Sequence, residues 1–490
     1  MSAMALDWQL RFPAVFVVTL ALGTGVGCTE TEPPTGGGSE SAETDPTGST
    51  GEGDGDGDGD GDASSTGDGD GEAALETTYW KDTKAILDAK CVGCHIDGGI
   101  GPFALETWEQ VEALAPILGD SIESLSMPPW PPNAACNTYE HNRSLDDDER
   151  ELVLGWLDAG YPEGDPADAP PEPEPPAPLD YDFDVQLPEP YLPDASPDDY
   201  RCFIIDWPEE FTDTKYVVGQ TAIPDQVQQV HHVITFVAGP DEADFYRGLD
   251  EAEPGVGYEC FGGPGKYDWT AQWLGDWVPG TDPWRAPEGT GIAVEPGSVL
   301  IVQMHYNDAG GVLEPDQTAL GFDVVDSVER PGTFIPVLDI GWVFGWSEMP
   351  IPAGDPDVHI SVDIGRTATL FQYTLAVLGV GPTTEVDIWR TAMHMHLLGT
   401  HASLSITQDT GEEQCMLQID DWDFNWQGDY KLEQPIAFGP GDTMHLDCHY
   451  DNSAANQPLV DGVPKEPETI GWGDGTYDEM CLGIVYAARK

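Results

Sequence analysis

The sequence predicts a multidomain protein in which a small all-α domain precedes two all-β sandwiches. Residues 76–165 carry helical patterns, whereas the chain beyond residue 179 has short apolar runs between Gly and Pro turns, as antiparallel strands do. One pattern occurs twice: Pro-Gly, seven residues, then His-Tyr, ending at Tyr306 and again at Tyr450. This repeat predicts related sandwiches at residues 179–333 and 334–490. A chain of 490 residues has room for roughly three domains.

The composition is strongly acidic. There are 90 Asp and Glu residues against 18 Lys and Arg, which gives a formal net charge of -72. Such a surface repels phosphates, so it excludes nucleic acid and anionic membrane surfaces as electrostatic partners. We expect a well-solvated surface.

The N-terminus has the pattern of an export signal over residues 1–27. Arg11 precedes an apolar run, residues 12–22, that is too short to span a bilayer. The signal ends in Gly27-Cys28, which is typical of a bacterial lipoprotein cleavage site, although Gly25 departs from the usual leucine. We expect a periplasmic or cell-surface protein that contacts the membrane only through a lipid on Cys28, with plain secretion as the alternative. Disulfides persist in such compartments.

Residues 28–75 are predicted to be a disordered tether. They consist mainly of Gly, Asp, Ser, Thr, Glu and Pro, with unbroken Gly-Asp alternation over residues 53–62. This composition cannot bury a core. The aspartates raise the alternative of a calcium site, but they lack the spacing of an EF-hand.

A C-x-x-C-H motif indicates covalent haem. Cys91 and Cys94 can form thioethers with the two vinyl groups of one haem, and His95 can ligate its iron. A disulfide or a zinc site is the alternative. Met127, on a proline-rich loop, is the candidate sixth ligand, and His141 is its rival.

The helical region over residues 76–165 resembles the cytochrome c units that are fused to bacterial oxidoreductases. An amphipathic helix with an acidic N-terminal cap is predicted after Ser144, near its end. Residues 166–178 are rich in Pro and acidic side chains and form the predicted semi-rigid linker to the sandwiches.

Histidines in the β-rich region suggest two metal sites. His394 and His396 stand two apart, so on a strand both rings point to one side. Met480 would add a soft thioether ligand, which favours Cu(I). A site with these three ligands would leave one coordination position open for O2, and zinc is the alternative metal ion.

The other candidate set is all imidazole. His231, His232 and His305 suit either oxidation state of copper. Adjacent histidines on a strand point to opposite faces, so His231 and His232 require a bulge or bend there. The remaining histidines of the sandwiches are interpreted as structural or surface residues: His359, His401, His445 and His449.

Four stretches, in this order, resemble the copper type II ascorbate-dependent monooxygenases, the family of the peptidylglycine α-hydroxylating and dopamine β-monooxygenases. They are His-His-Val from 231, Gln-x-His-Tyr from 303, His-x-His-Leu-Leu-Gly from 394 and Glu-Met-Cys from 479. The resemblance implies jelly-roll-like sandwiches flanking a cleft, with one copper each. His231, His232 and His305 would hold the electron-transfer copper. The copper that binds oxygen and carries out catalysis would be held by His394, His396 and Met480.

The resemblance also implies a disulfide between Cys448 and Cys481. It leaves four cysteines unassigned, of which Cys202 and Cys260 form a reasonable pair; the others are Cys136 and Cys415.

The expected function is that of an exported copper monooxygenase, an oxidoreductase that hydroxylates a C–H bond of a small organic substrate with O2. Each copper stores one electron, so a fused haem c would supply electrons from a redox partner or from ascorbate. The cofactors would be two copper ions and one haem c. A non-catalytic haem and copper electron-transfer or copper-binding lipoprotein is the alternative.

The substrate is expected to differ from peptidylglycine. Amidating members have an arginine where this chain has Ala392, and Leu482 and Ile484 replace their polar or aromatic substrate contacts. An apolar or phenolic small molecule fits better.

Overall fold

The computed structural model describes residues 77–490, apart from residues 98, 100, 172–177, 195–197, 261–262, 266–270, 280–282, 308–311, 367, 369–370, 372–373, 377, 382, 461–462, 474 and 476. The predicted export signal, the predicted tether and Cys28 lie outside the described residues. The chain divides into two units after Gly71, and all described residues belong to the second unit.

The described chain begins with a helical segment. It contains a π-helical turn (Tyr79–Thr83) and the helices α1 (Lys84–Lys90), α2 (Trp108–Glu123) and α3 (Asp147–Asp158). Reciprocal hydrogen bonds cap α2 through Thr107 and Gln110, and α3 through Asp146 and Glu149. The apolar faces form a small core around Trp156, so the predicted all-α region is helical.

Twenty strands follow among the described residues. Those of the first half are β1 (Phe183–Gln186), β2 (Asp198–Asp206), β3 (Lys215–Ile223), β4 (Val230–Ala238), β5 (Tyr258–Glu259), β6 (Ala271–Trp277), β7 (Trp284–Arg285), β8 (Thr290–Val294), β9 (Val299–Asn307), β10 (Ala319–Val325) and β11 (Arg330–Val337). Those of the second half are β12 (Val358–Gly365), β13 (Val386–His394), β14 (Gly399–Thr407), β15 (Glu413–Ile419), β16 (Asp429–Phe438), β17 (Thr443–Tyr450), β18 (Leu459–Val460), β19 (Val463–Pro464) and β20 (Leu482–Arg489). Two further helices, α4 (Ala243–Ala252) and α5 (Ile340–Val343), lie between strands.

The strands form two β-sandwiches, as predicted. In the first, a five-stranded sheet of order β5-β2-β9-β4-β6 packs on β1-β10-β3-β8, and fully buried Phe203, Val302 and Phe322 fill the space between them. In the second, a four-stranded sheet of order β12-β17-β14-β15 packs on β11-β20-β13-β16, around fully buried Leu404 and Leu446. β17 buries alternate side chains because only its inner face meets the opposite sheet, whereas β9 is buried on both faces.

The two sandwiches share a sheet. β1, β10, β3 and β8 continue through β11 into β20, β13 and β16 as one nine-stranded sheet that also includes β7. The step between the halves is a parallel pairing of β11 with β8, and β11 pairs antiparallel with β20 on its other side. The predicted boundary between residues 333 and 334 therefore falls inside β11.

The stretch between α2 and α3 packs on the second sandwich. Cys136 is disulfide-bonded to Cys415, and Tyr139 pairs with Leu432 and donates to the Met416 carbonyl at 2.9 Å. The predicted cytochrome region, residues 76–165, thus includes a stretch that shares a core with the sandwich.

Three disulfides join the described cysteines: Cys136 to Cys415, Cys202 to Cys260 and Cys448 to Cys481. The latter two match the sequence expectations. Three disulfides are consistent with an exported protein. Among the described residues, no helix combines the length and apolar character needed to cross a membrane.

Candidate functional site

The first histidine set lies at neighbouring ends of β4 and β9. His232 pairs directly with His305, and the register between these strands shifts between Val230 and His232. This irregularity is the distortion that adjacent histidines require, because it lets His231 and His232 face the same region. The strands thus bring His231, His232 and His305 together.

The Nδ1 atoms of these three rings converge. His232 Nδ1 lies 3.5 Å from His231 Nδ1 and 3.2 Å from His305 Nδ1. The Nε2–H of His305 donates to Asp198 Oδ1 at 2.8 Å, which leaves its Nδ1 with a lone pair. Two ligand nitrogens about 2.0–2.1 Å from one metal ion would have this mutual spacing. The set therefore fits one metal ion bound through Nδ1 atoms.

Burial keeps two of these rings neutral. It lowers the pKa of His231 to about 4 and that of His232 well below its ordinary value. A neutral imidazole is the form that binds a metal ion. These two rings can therefore bind a cation at neutral pH without first losing a proton.

The second set lies where β13 ends. His394 Nε2 and His396 Nε2 are 3.2 Å apart. Each Nδ1–H donates to an oxygen, from His394 to Gln427 Oε1 at 2.5 Å and from His396 to the Asp478 carbonyl at 3.0 Å. Both Nε2 atoms consequently carry lone pairs that face each other, an arrangement that a shared cation would stabilise.

Burial also lowers the pKa of these rings, to about 3 for His394 and about 4 for His396. A charge on His394 would lower the pKa of His232 further. The two histidine sets are therefore close enough to interact electrostatically.

Met480 is buried, and its neighbours along the chain hold its segment against the turn that follows β13. The carboxylate of fully buried Glu479 accepts from the backbone N–H groups of His396 at 2.8 Å and Leu398 at 2.7 Å. Tyr450 donates its hydroxyl to the Met480 carbonyl at 2.8 Å, and Cys481 is tied to β17 by its disulfide. These contacts join the Met480 segment to the turn that carries His396.

Two side chains pack so closely on the backbone after this turn that only glycine fits at position 399. A Cβ at that position would lie 2.7 Å from Met395 Cε and 2.8 Å from Trp422 Cδ1. Trp422 donates its indole N–H to the His396 carbonyl at 3.2 Å, so a side chain at Gly399 would displace a group that holds the ligand turn.

The C-x-x-C-H motif follows α1. Cys91 and Cys94 carry free thiols, and burial raises the pKa of Cys91 to about 12. His95 is nearly buried, stacks on Phe103 and donates Nδ1–H to the Phe103 carbonyl at 3.0 Å. This bond leaves Nε2 as its ligand atom, and a Cβ on Gly101 would come within 2.6 Å of the ring. The motif therefore has the free thiols and the oriented imidazole that haem attachment requires.

The rest of the predicted haem site is less closely defined. The backbone N–H of Met127 donates to the Ser121 carbonyl at 3.1 Å, just beyond α2. Its rival, His141, is exposed. Cys94 Sγ lies 3.6 Å from the carbonyl of Pro279, which follows β6 of the first sandwich, so the motif contacts the β-rich part directly.

Three supporting residues were missed by the sequence reasoning. Asp198 and Gln427 fix the protonation of His305 and His394, and Glu479 fixes the His396 turn. Glu479 stands next to a predicted ligand, which is a usable signal. Asp198 and Gln427 lie 107 and 33 residues from their histidines, so only the folded chain reveals them.

Residues 379–488 match the family model described as "Copper type II ascorbate-dependent monooxygenase, C-terminal domain". This match includes His394, His396 and Met480.

Curated relatives extend the similarity to about half of the chain. DBH-like monooxygenase protein 2 of Mus musculus is 22% identical over 52% of this chain and 37% of its own length. Dopamine beta-hydroxylase of Canis lupus familiaris is 23% identical over 44% and 31%. Putative DBH-like monooxygenase protein 2 of Homo sapiens is 23% identical over 52% and 46%. The chain thus spans less than half the length of these relatives. Together these similarities show that the β-rich part of the chain is similar to copper type II ascorbate-dependent monooxygenases.

Proposed function

We propose that this protein is an exported, copper-dependent monooxygenase that hydroxylates a C–H bond of a small organic substrate with O2. The observation that carries the proposal is the approach of two unprotonated Nε2 atoms, on His394 and His396, to 3.2 Å in a buried site. Paired lone pairs in such a place favour a metal ligand set over a structural role.

The residues fit copper at both sets. His231, His232 and His305 would hold one ion, and His394, His396 and Met480 the other. Copper bound there would supply one-electron transfer and reaction with O2. The overall change places one oxygen atom in the product and the other in water, and it consumes two electrons and two protons from outside.

The chain's own groups prepare these sites. Asp198 and Gln427 orient their histidines by accepting Nε2–H from His305 and Nδ1–H from His394, and burial keeps His394 neutral. Glu479 holds the turn between His396 and Leu398. Together these groups would fix the ligand atoms before metal or substrate arrives, which lowers the cost of ordering them.

We also propose a covalent haem c at Cys91 and Cys94, with His95 and Met127 as iron ligands, which would supply electrons taken from a redox partner or ascorbate. The contact of Cys94 with Pro279 supports this arrangement. Pro279 follows Trp277, the last residue of β6, and Trp277 pairs with Val233 beside His232. The haem motif is therefore linked to the first histidine set through Pro279, Trp277 and Val233.

The substrate is proposed to be small and apolar or phenolic. Ala392 and Ile484 pair across β13 and β20, and His394 pairs with Leu482. Ala392, Leu482 and Ile484 are all apolar, so they offer no charged group to a carboxylate. A peptide with a free C-terminal carboxylate is accordingly disfavoured.

Export and lipid anchoring of Cys28 complete the proposal. Three disulfides and the apolar N-terminal run support export. Mass spectrometry of the membrane fraction would test the anchor, since a diacylglycerol on Cys28 adds a defined mass to the first mature residue.

The test of the enzyme activity is oxygen consumption by the copper-loaded protein with ascorbate and a panel of small aromatic and aliphatic compounds. We expect substrate-dependent uptake of O2 with one hydroxylated product per O2, and its loss in Met480→Ala. Retained copper and haem with no substrate-dependent uptake would instead favour the non-catalytic electron-transfer lipoprotein.

A further inference from the structure

A third histidine cluster lies on the outer face of the second sandwich. His449 on β17 pairs directly with His359 on β12 and with His401 on β14. The ring centroids of His449 are 3.6 Å from His359 and 4.7 Å from His401. Alternate residues of β17 are buried, so this histidine row faces away from the core.

The row repeats the register of the first histidine set. His305 on β9 pairs with His232 on β4, and the register shifts between Val230 and His232. His449 pairs with His401, and the register shifts between Gly399 and His401.

On the other side of the central histidine, Tyr200 pairs with His305 as His359 pairs with His449. The carboxylates also correspond. Asp198 lies two residues before Tyr200 and accepts from His305 at 2.8 Å. Asp357 lies two residues before His359 and accepts from His359 Nε2 at 2.8 Å. The second sandwich therefore presents, on its own sheet, the strand geometry that gathers the first set.

The side chains of this row form two groups that share His449. Ligand atoms of His401, Asp447 and His449 lie within 4.8 Å of one another, and so do those of Asp357, His359 and His449. Asp447 accepts from His449 Nε2 at 2.5 Å. Side chains of His401 and His449 are 24% and 26% exposed, so an ion could enter from solvent while the rings remain partly ordered.

A row of unliganded surface histidines is the simpler interpretation. Three directly opposed imidazoles would repel one another whenever they are protonated, because like charges opposite each other on a sheet are destabilising. Bound metal would remove this repulsion and use the nitrogen and carboxylate donors together.

We propose that His449, His401 and Asp447 form a third metal site, which takes one divalent ion of the zinc type. The donors are imidazole and carboxylate with no thioether, a set that suits Zn2+ and other borderline divalent ions. Bound metal would fasten β14 to β17. The site is separate from the two proposed copper sets and does not depend on the proposed activity.

Zinc binding to the full-length, copper-loaded protein tests the proposal. Zn2+ would be the probe, with bound metal measured by elemental analysis after dialysis and the thermal midpoint recorded with and without Zn2+. The variants are His449→Ala and His401→Ala. The matched control is His445→Ala, a histidine on the same face of β17 that bonds instead to Asp363 and Thr407, each at 2.7 Å.

We expect the wild type and His445→Ala to bind one Zn2+ more than either test variant, and to gain thermal stability with Zn2+ where the test variants do not. The zinc affinity of the two test variants should be at least about tenfold below that of the wild type, since loss of even a supporting group around a metal typically lowers metal affinity by that factor. Equal zinc stoichiometry in the control and in His401→Ala would overturn the proposal, and it would do so even if His449→Ala failed to fold. If the wild type bound zinc as expected but hydroxylated no substrate, that result would count against the proposed function alone.

Discussion

One hydrogen-bond acceptor, Gln427, decides which nitrogen of the His394 ring carries a lone pair. Gln427 takes the Nδ1–H of His394 at 2.5 Å, while its own amide N–H groups are turned to the Phe424 carbonyl at 2.8 Å. A carbonyl oxygen cannot donate, so His394 must be the donor and its Nε2 must carry the lone pair. The nitrogen that is free to bind a metal ion is therefore chosen by a residue outside the candidate ligand set.

Gln427→Leu should weaken copper binding at the His394 and His396 set by roughly 10- to 100-fold, because the His394 tautomer would no longer be fixed. Copper affinity would be measured by competition with a chelator of known affinity. Gln427→Glu keeps the acceptor oxygen and should restore most of the affinity. Equal affinities for the wild type and Gln427→Leu would contradict this role.

Glu479 should be important for stability as well as for the site. Its carboxylate satisfies the backbone N–H groups of His396 and Leu398 in the interior, and burial raises its pKa to about 8. Glu479→Ala would leave both N–H groups without an acceptor. An unsatisfied buried donor lowers the free energy of unfolding by about 1–3 kcal/mol. Urea denaturation of the metal-free protein would measure the loss.

The control for that experiment is Asp478→Asn, which alters the adjacent, exposed carboxylate and retains the carbonyl bonded to His396. It should unfold close to the wild type. A similar loss in both variants would mean that the segment tolerates no change, and that Glu479 has no special part.

The proximity of His394 and His396 could be predicted because their spacing is local. They stand at the period of a strand, and the structure brings their Nε2 atoms to 3.2 Å. The acceptors Asp198 and Gln427 could not be predicted, since each reaches its histidine from another element. The outer row around His449 could not be predicted either, because its three members come from separate strands and only the register aligns them.

Among the elements, β9 and β17 were the clearest in the sequence. The Pro-Gly turn and the following His-Tyr predicted both, and they form the central strands around which the five- and four-stranded sheets are built. Their partners β4 and β14 carry the same register shift beside a histidine, which no periodicity announces. Bulges depend on cross-strand pairing, so they appear only when both strands are in place.

A buried carboxyl on β6 makes the contact between the sandwiches sensitive to pH. Burial, together with the charge of Asp429, raises the pKa of Asp276 to about 7, although Arg390 opposes this shift. Asp429 and Arg390 belong to β16 and β13 and form an ion pair at 2.5 Å. Because the folded state favours the protonated carboxyl, stability is present at low pH and is lost as the pH rises from about 4 through about 7.

Asp276→Asn should therefore gain stability relative to the wild type as the pH rises from 5.5 to 8.5, by on the order of 1 kcal/mol. Urea denaturation at several pH values would measure the difference. Asp184→Asn, at an exposed position of β1, is the matched control and should follow the wild-type curve. A pH-independent difference for Asp276→Asn would contradict the assignment.

Across the whole molecule, the shared nine-stranded sheet joins the two sandwiches. β20 begins two residues after Met480 and lies between β11 and β13, and β13 ends at His394. The strands that carry one histidine set are thus continuous with those that close the other sandwich. Sequence reasoning placed a domain boundary in β11 because it reads the chain in order, whereas the sheet pairs strands from its middle and its end.

The helical segment is also integrated into this arrangement. The Cys136–Cys415 disulfide and the contact of Cys94 with Pro279 attach it to both sandwiches. The helix after Ser144 was predictable from its acidic cap and apolar spacing. The attachment of the segment was not, because it depends on pairing between residues 279 positions apart.

The measurement that tests the central claim most directly is the copper and haem content of the purified protein, by elemental analysis and a pyridine haemochrome spectrum. The account predicts one haem per chain and two coppers in the wild type, with one copper fewer in His394→Ala and the haem unchanged. Copper content that is the same in the wild type and in His394→Ala, or zinc alone at both buried histidine sets, would contradict it.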